Sequence, residues 1–138
     1  MNGSKLDSIL RRGVAEVIIR SQLLELLNSS DAEIRYAAVY ALYECSDPLL
    51  AQPAAEMASE NEVRLRSAAA QLASNLPAES FAAVRDELLP LLGDEEESVR
   101  FDALRCFARQ NDTAAASVIL ALLQRDQLAD QYKVTVMQ

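Results

Sequence analysis

LLNSSDAEIR, residues 26–35, returns twice further along the chain, as MASENEVRLR at 57–66 and as LLGDEEESVR at 91–100. Each copy opens on an apolar pair, passes through polar and acidic residues, and closes on an aliphatic residue followed by arginine. The closing arginines, Arg35, Arg66 and Arg100, stand 31 and 34 residues apart. A period of this length marks a chain assembled from stacked supersecondary units, because one such unit cannot bury its apolar face alone.

The residues after each arginine repeat as well. Ala38, Ala41, Leu42 and Cys45 come after Arg35, and Ala69, Leu72, Ala73 and Leu76 after Arg66. Ala103, Cys106 and Phe107 come after Arg100, with Gln110 interrupting the fourth position. Alternating steps of three and four place these residues on one stripe of a helix, and small side chains there let neighbouring helices approach closely. Each unit therefore reads as helix, short acidic turn, helix. First helices are expected near 14–27, 48–58, 78–92 and 113–125, and second helices near 32–45, 62–76 and 96–109. Ser46-Asp47-Pro48 and Leu76-Pro77 separate units, and Gly93-Asp94 and Asn111-Asp112-Thr113 mark turns. Pro53 and Pro90 should bend or end first helices. The expected organisation is a single domain over 1–138. Residues 1–13 form an N-terminal extension with a short helix ahead of Gly13. Repeats come next at 14–47, 48–77 and 78–112, then a partial capping repeat at 113–138.

Composition agrees with an all-α chain. The apolar half of its 138 residues is mostly alanine and leucine, and it has no tryptophan and only 3 glycines. The net charge is −8, with six basic against fourteen acidic residues between positions 36 and 112. That balance argues against nucleic acid or an anionic membrane as partner and favours either a protein partner of basic character or simple solubility. With no histidine, His-based acid–base chemistry and Ser-His-Asp triads are excluded. The scattered glycines build no phosphate loop, and two isolated cysteines build no zinc site. Asp94-Glu95-Glu96-Glu97 sits where a second helix begins and reads as a complement to its dipole. The chain is expected to be non-enzymatic, without metal or cofactor. Cys45 and Cys106 are expected as buried reduced thiols. No apolar run is long enough to span a bilayer, and the start lacks a cleavable leader pattern. The expected location is cytoplasmic.

Leu26-Leu27, Asp31, Ile34-Arg35, Ala38 and Ala41-Leu42, with their counterparts ending at Arg66 and Arg100, resemble HEAT repeats. The short HEAT-like repeats of bilin-lyase-type proteins are similar too. The resemblance covers about residues 14–110 and implies a right-handed α-solenoid of three to four helix-turn-helix repeats, its second helices lining a concave side. It also implies a ladder in which Arg35, Arg66 and Arg100 meet turn acids, with Asp31, Glu62 and Glu96 as candidates. Asp94 occupies the other common acidic position, and Arg64 offers a competing register. The resemblance implies either of two functions: an adaptor, scaffold or small chaperone without chemistry of its own, or an accessory subunit of a lyase acting on a chromophore-bearing protein. HEAT-like DNA glycosylases carry a basic face with tryptophan, which this chain does not match.

The aromatic content sharpens the first of these. In YAAVYALY, residues 36–43, the three tyrosines Tyr36, Tyr40 and Tyr43 share one helical face. That face lies opposite Ala38, Ala41, Leu42 and Cys45. Ser67 and Gln71 take the same directions in the second unit, and Phe101 and Arg105 in the third. Tyrosine is enriched at interfaces because it offers large amphipathic area at modest entropy cost. The expected partner-binding surface is Tyr36, Tyr40, Tyr43, Ser67, Gln71, Phe101 and Arg105. Two other fates remain open for the stripe: cover by the segment around Leu6, Ile9 and Leu10, or burial in a homodimer.

Overall fold

The structure is a computed structural model that describes residues 2–125. The described residues form seven α-helices: α1 (Asn2–Leu26), α2 (Ala32–Leu42), α3 (Ala51–Met57), α4 (Val63–Ser74), α5 (Ala78–Leu88), α6 (Glu97–Arg109) and α7 (Thr113–Arg125). The second helices α2, α4 and α6 pack side by side, with α4 in the middle. The first helices α3 and α5 pack on each other, and α3 also covers α4. This is the all-α, HEAT-like stack of helix pairs that the period predicts. The tail of the expected capping repeat, 126–138, lies outside the described residues.

Local chemistry sets the helix ends. The Asp31 carboxylate accepts the Glu33 N–H at 2.9 Å and caps α2. Asp47 accepts the Leu49 N–H at the start of a 3₁₀ turn, Pro48–Leu50, that leads into α3. Pro53 has no N–H to offer the carbonyl four residues back, and the chain ahead of it takes this tighter turn. Pro90 acts likewise: α5 stops at Leu88 and a 3₁₀ segment, Leu89–Gly93, carries the chain to the acidic turn. The helix α6 ends on Asn111, in the left-handed region at φ 56°. There the Asp112 N–H reaches back to the Phe107 carbonyl and the Asn111 N–H to that of Ala108, closing a Schellman motif. One expectation fails at the front. Gly13 does not end a helix, and α1 runs unbroken for 25 residues. A glycine costs only about 1 kcal/mol inside a helix, less than the uninterrupted hydrogen bonding around it supplies.

The core follows the repeated stripe. Leu72, Ala73, Leu76, Ala103, Cys106 and Phe107 are buried where they were expected. Four alanines, Ala68, Ala69, Ala70 and Ala73, are buried on α4, which lets it pack against α2, α3 and α6 at once. Phe81 meets Phe107 edge to face, with ring centroids 5.2 Å apart. The helix α2 sits rotated from expectation, with Ala38, Val39 and Leu42 buried and Ile34 and Ala41 exposed. Burying valine removes more apolar surface from water than burying alanine, and the helix turns Val39 inward. Cys45 is half-buried, whereas Cys106 is fully buried.

The ladder is present, but its acids stand earlier in the turn than expected. Arg66 clamps Asp94 through two hydrogen bonds, 2.8 and 3.2 Å, and donates to the Glu60 and Asn61 carbonyls of its own turn. Arg35 pairs with Glu60 at 2.6 Å, and Arg100 donates to the Asp94 and Glu95 carbonyls. Arg66 and Arg100 tie off their own turns, and Arg35 and Arg66 grip the next one. Asp31, Glu62 and Glu96 are not the rungs. Asp31 is engaged as a helix cap, Glu62 pairs with Arg64, and the Glu96 N–H is taken by Asp94. A second series links the first helices to the turns that begin or precede the next ones, Arg20 to Asp47 at 4.0 Å and Arg85 to Asp112 at 2.5 and 3.0 Å. At the far ends of the second helices, the Asn75 amide donates to the Tyr43 carbonyl. The Gln110 amide donates to the carbonyls of Ala73, Ser74 and Leu76. Gln110 therefore links units and does not interrupt them.

Hydrogen bonds from Arg66 and Arg85 hold the Asp94 and Asp112 carboxyls below their ordinary value of 3.8. Depressed carboxyls stabilise the fold fully above that ordinary value, and the contribution drains away as pH falls through the lower folded-state values. In thermal melts between about pH 5 and 2, Asp94→Asn/Asp112→Asn should lose less melting temperature on acidification than wild type, because asparagine keeps the turn caps without titrating. Equal acid slopes would show that these rungs do not carry the acid sensitivity.

Candidate functional site

The second-helix layer holds every residue singled out for partner binding, but it does not treat them alike. Tyr40 is 71% exposed and Phe101 56% exposed. Tyr43 is half-buried, with its ring centroid 6.0 Å from that of Tyr40. Tyr36 is half-buried against the core, and the Arg64 guanidinium lies 5.2 Å from its ring centroid. Arg64 is itself held by Glu33 from α2 and by Glu62, so it fastens the start of α2 to the start of α4. Its competing register resolves into this separate role. Ser67 and Gln71 are half-buried on α4, and Arg105 is exposed on α6.

Three of the seven come together. Tyr43, Gln71 and Arg105 line a shallow depression of about 70 Å³ with Ser74, Asn75, Asp102 and Arg109. Tyr40 and Phe101 stand outside its lining, and Tyr36 and Ser67 do not reach it. The Glu44 carboxylate raises the Tyr43 phenol above its ordinary value of 10.0, because a negative charge beside it disfavours the phenolate. Arg109 donates to the Asn75 side-chain oxygen at 2.9 Å. Asn75, Asp102 and Arg109 lie outside the surface expected from sequence. A signal existed: Asn75 and Arg109 each stand nine residues after a ladder arginine, at the ends where the second helices are tied together.

A second depression, of about 270 Å³, opens on the other layer among Leu24, Asn28, Leu49, Gln52, Pro53 and Glu56. Among the described residues, no group of three or more acidic or cysteine side chains is placed to hold a metal ion. No described helix is long and apolar enough to cross a membrane.

A family model described as HEAT repeat matches residues 19–48, the end of α1, all of α2 and the turn beyond it. No curated protein and no solved structure matches the chain.

Two measurements check this geometry. Tyr40→Ala should cost less than about 0.5 kcal/mol of folding stability, and Tyr36→Ala about 1–2 kcal/mol, because only Tyr36 packs on the core. Denaturant melts giving equal losses would contradict the placement. Burial pushes the Cys106 thiol up to about 12, and thiolate is the reactive form. A thiol reagent at neutral pH should therefore modify Cys45 in the folded protein and reach Cys106 only on unfolding. Equal labelling of the two in the native state would refute the burial of Cys106.

Proposed function

We propose that this chain, which carries a HEAT repeat at 19–48, is a non-enzymatic protein-interaction module. It grips a protein partner on the face of α2, α4 and α6 and serves as an adaptor, scaffold or small chaperone. The observation that carries this reading is the exposure of Tyr40 and Phe101 on that layer. Large aromatic side chains are costly to leave in water and are enriched among the residues that anchor interfaces. They stand on helices already fixed by the arginine rungs, so little ordering remains to be done on binding. The mechanism is presentation of anchors by a rigid stack, with no bond made or broken. A role beside a lyase rests on the repeat alone, and no residue on this face adds to it.

The test is capture from the native host's lysate with wild type beside Tyr40→Ala/Phe101→Ala, the two first matched for melting temperature. A partner retained by wild type and lost by the variant is the expected outcome. Equal capture would move the binding surface off this layer. Wild-type self-association abolished by the same substitutions would make the face a self-interface.

A further inference from the structure

Charge is unevenly distributed between the layers. The chain carries −8 overall, yet α2, α4 and α6 together hold six arginines against only Glu33, Glu97 and Asp102. Four of the six arginines are engaged within the fold. Arg35, Arg64 and Arg66 pair with carboxylates, and Arg100 donates to turn carbonyls. Arg109 donates to a neutral amide oxygen. Arg105 is exposed and has no carboxylate within ion-pair distance among the described residues. Both of these remaining arginines line the depression with Tyr43; Asp102 opposes them in its lining, and the Glu44 carboxylate stands beside Tyr43 at its edge.

We infer that this depression receives a side-chain carboxylate of an acidic peptide segment in the partner, with Arg105 as the principal contact. The inference rests on the reading of the second-helix layer as the partner face and names the chemistry that the face selects. A guanidinium with no internal acceptor is satisfied by an incoming carboxylate through charge-assisted hydrogen bonds. The depression has room for a carboxylate and the methylene that bears it. Tyr40, whose ring neighbours Tyr43, takes an apolar residue beside the acid. A nucleic acid would bring a run of phosphates, and two arginines beside Asp102, on a chain of −8, do not meet that need. The partner chemistry is the reverse of what net charge suggests. The excess acids lie mainly in the turns and first helices, and Glu60, Glu62 and Asp94 of the turns are taken by Arg35, Arg64 and Arg66.

The test selects a displayed library of random 12-residue peptides on the wild-type protein. Enriched sequences are expected to place Asp or Glu beside an aromatic or aliphatic residue. The strongest is then synthesised with a fluorescein label and an amidated C-terminus and titrated by anisotropy. Arg105→Gln should weaken binding by about tenfold or more, and Arg105→Glu should abolish it. Neither change removes an ion pair among the described residues, so both variants are expected to melt like wild type. Enriched peptides that are basic or neutral would overturn the inference. So would acidic peptides that bind Arg105→Gln as tightly as wild type, or that require a free C-terminal carboxylate. Those results leave the partner face standing if Tyr40→Ala still weakens binding. Failure to enrich any peptide would overturn both.

Discussion

The stack depends on what one guanidinium does at the turn between paired helices. Arg66 satisfies two carbonyls that its own turn leaves without partners, and with its remaining donors it holds Asp94 of the following turn. A loop of polar backbone packed against a helical layer is costly unless its acceptors are met. Here one side chain meets them and sets the spacing to the next unit. Arg35 and Arg100 repeat parts of the arrangement on either side. Without it, the alanine-rich second helices would pack with little to define their offset, since small side chains interlock weakly.

Rungs at three levels give the array its stiffness. The turn arginines act at one end of the second helices, Asn75 and Gln110 at the other, and Arg20 and Arg85 along the first helices. Each exposed ion pair contributes little alone. The more buried ones, such as Arg66 with Asp94, act through geometry as much as energy because the fork fixes direction. A stiff layer suits a protein that works by presenting side chains. The internal pairs also explain the charge of the second-helix face. With the turn carbonyls that hold Arg100 and the Asn75 amide that holds Arg109, they leave Arg105 as the arginine of this layer with neither an ion pair nor a side-chain hydrogen bond among the described residues.

Much of the fold was legible in the primary structure, and the failures share a cause. The helix pairs, their period, the interior of α4 and α6 and the recurrence of Arg35, Arg66 and Arg100 come from spacing, and the ladder role of those arginines from the resemblance to HEAT repeats. Of the rung acids, Asp94 was noted as the other common acidic position and is held by Arg66, whereas Asp31, Glu62 and Glu96 are not rungs, because they stand next to a helix start where a carboxylate can cap instead of bridging. Asp31 does so. Val39 falls outside the repeated stripe because shared small residues define that stripe, whereas burial rewards the larger side chain. Gln110 looked like a defect because it is polar at an apolar position, yet its amide donates to three carbonyls of the neighbouring helix end.

The candidate face divides along the same line. That Tyr36, Tyr40 and Tyr43 share a helical side is a matter of angular period and was determined before any packing was known. Which of them meets solvent depended on neighbours distant in the chain. Arg64 crosses from α4 to cover Tyr36, while nothing comparable among the described residues reaches Tyr40. The sequence by itself determined the architecture, because helix period and repeat spacing are properties of local order along the chain. Only the tertiary structure decided which charges are used up in the stack and which are left for a partner. Pairing is set by distances between residues some 30 positions apart, and composition does not record those distances.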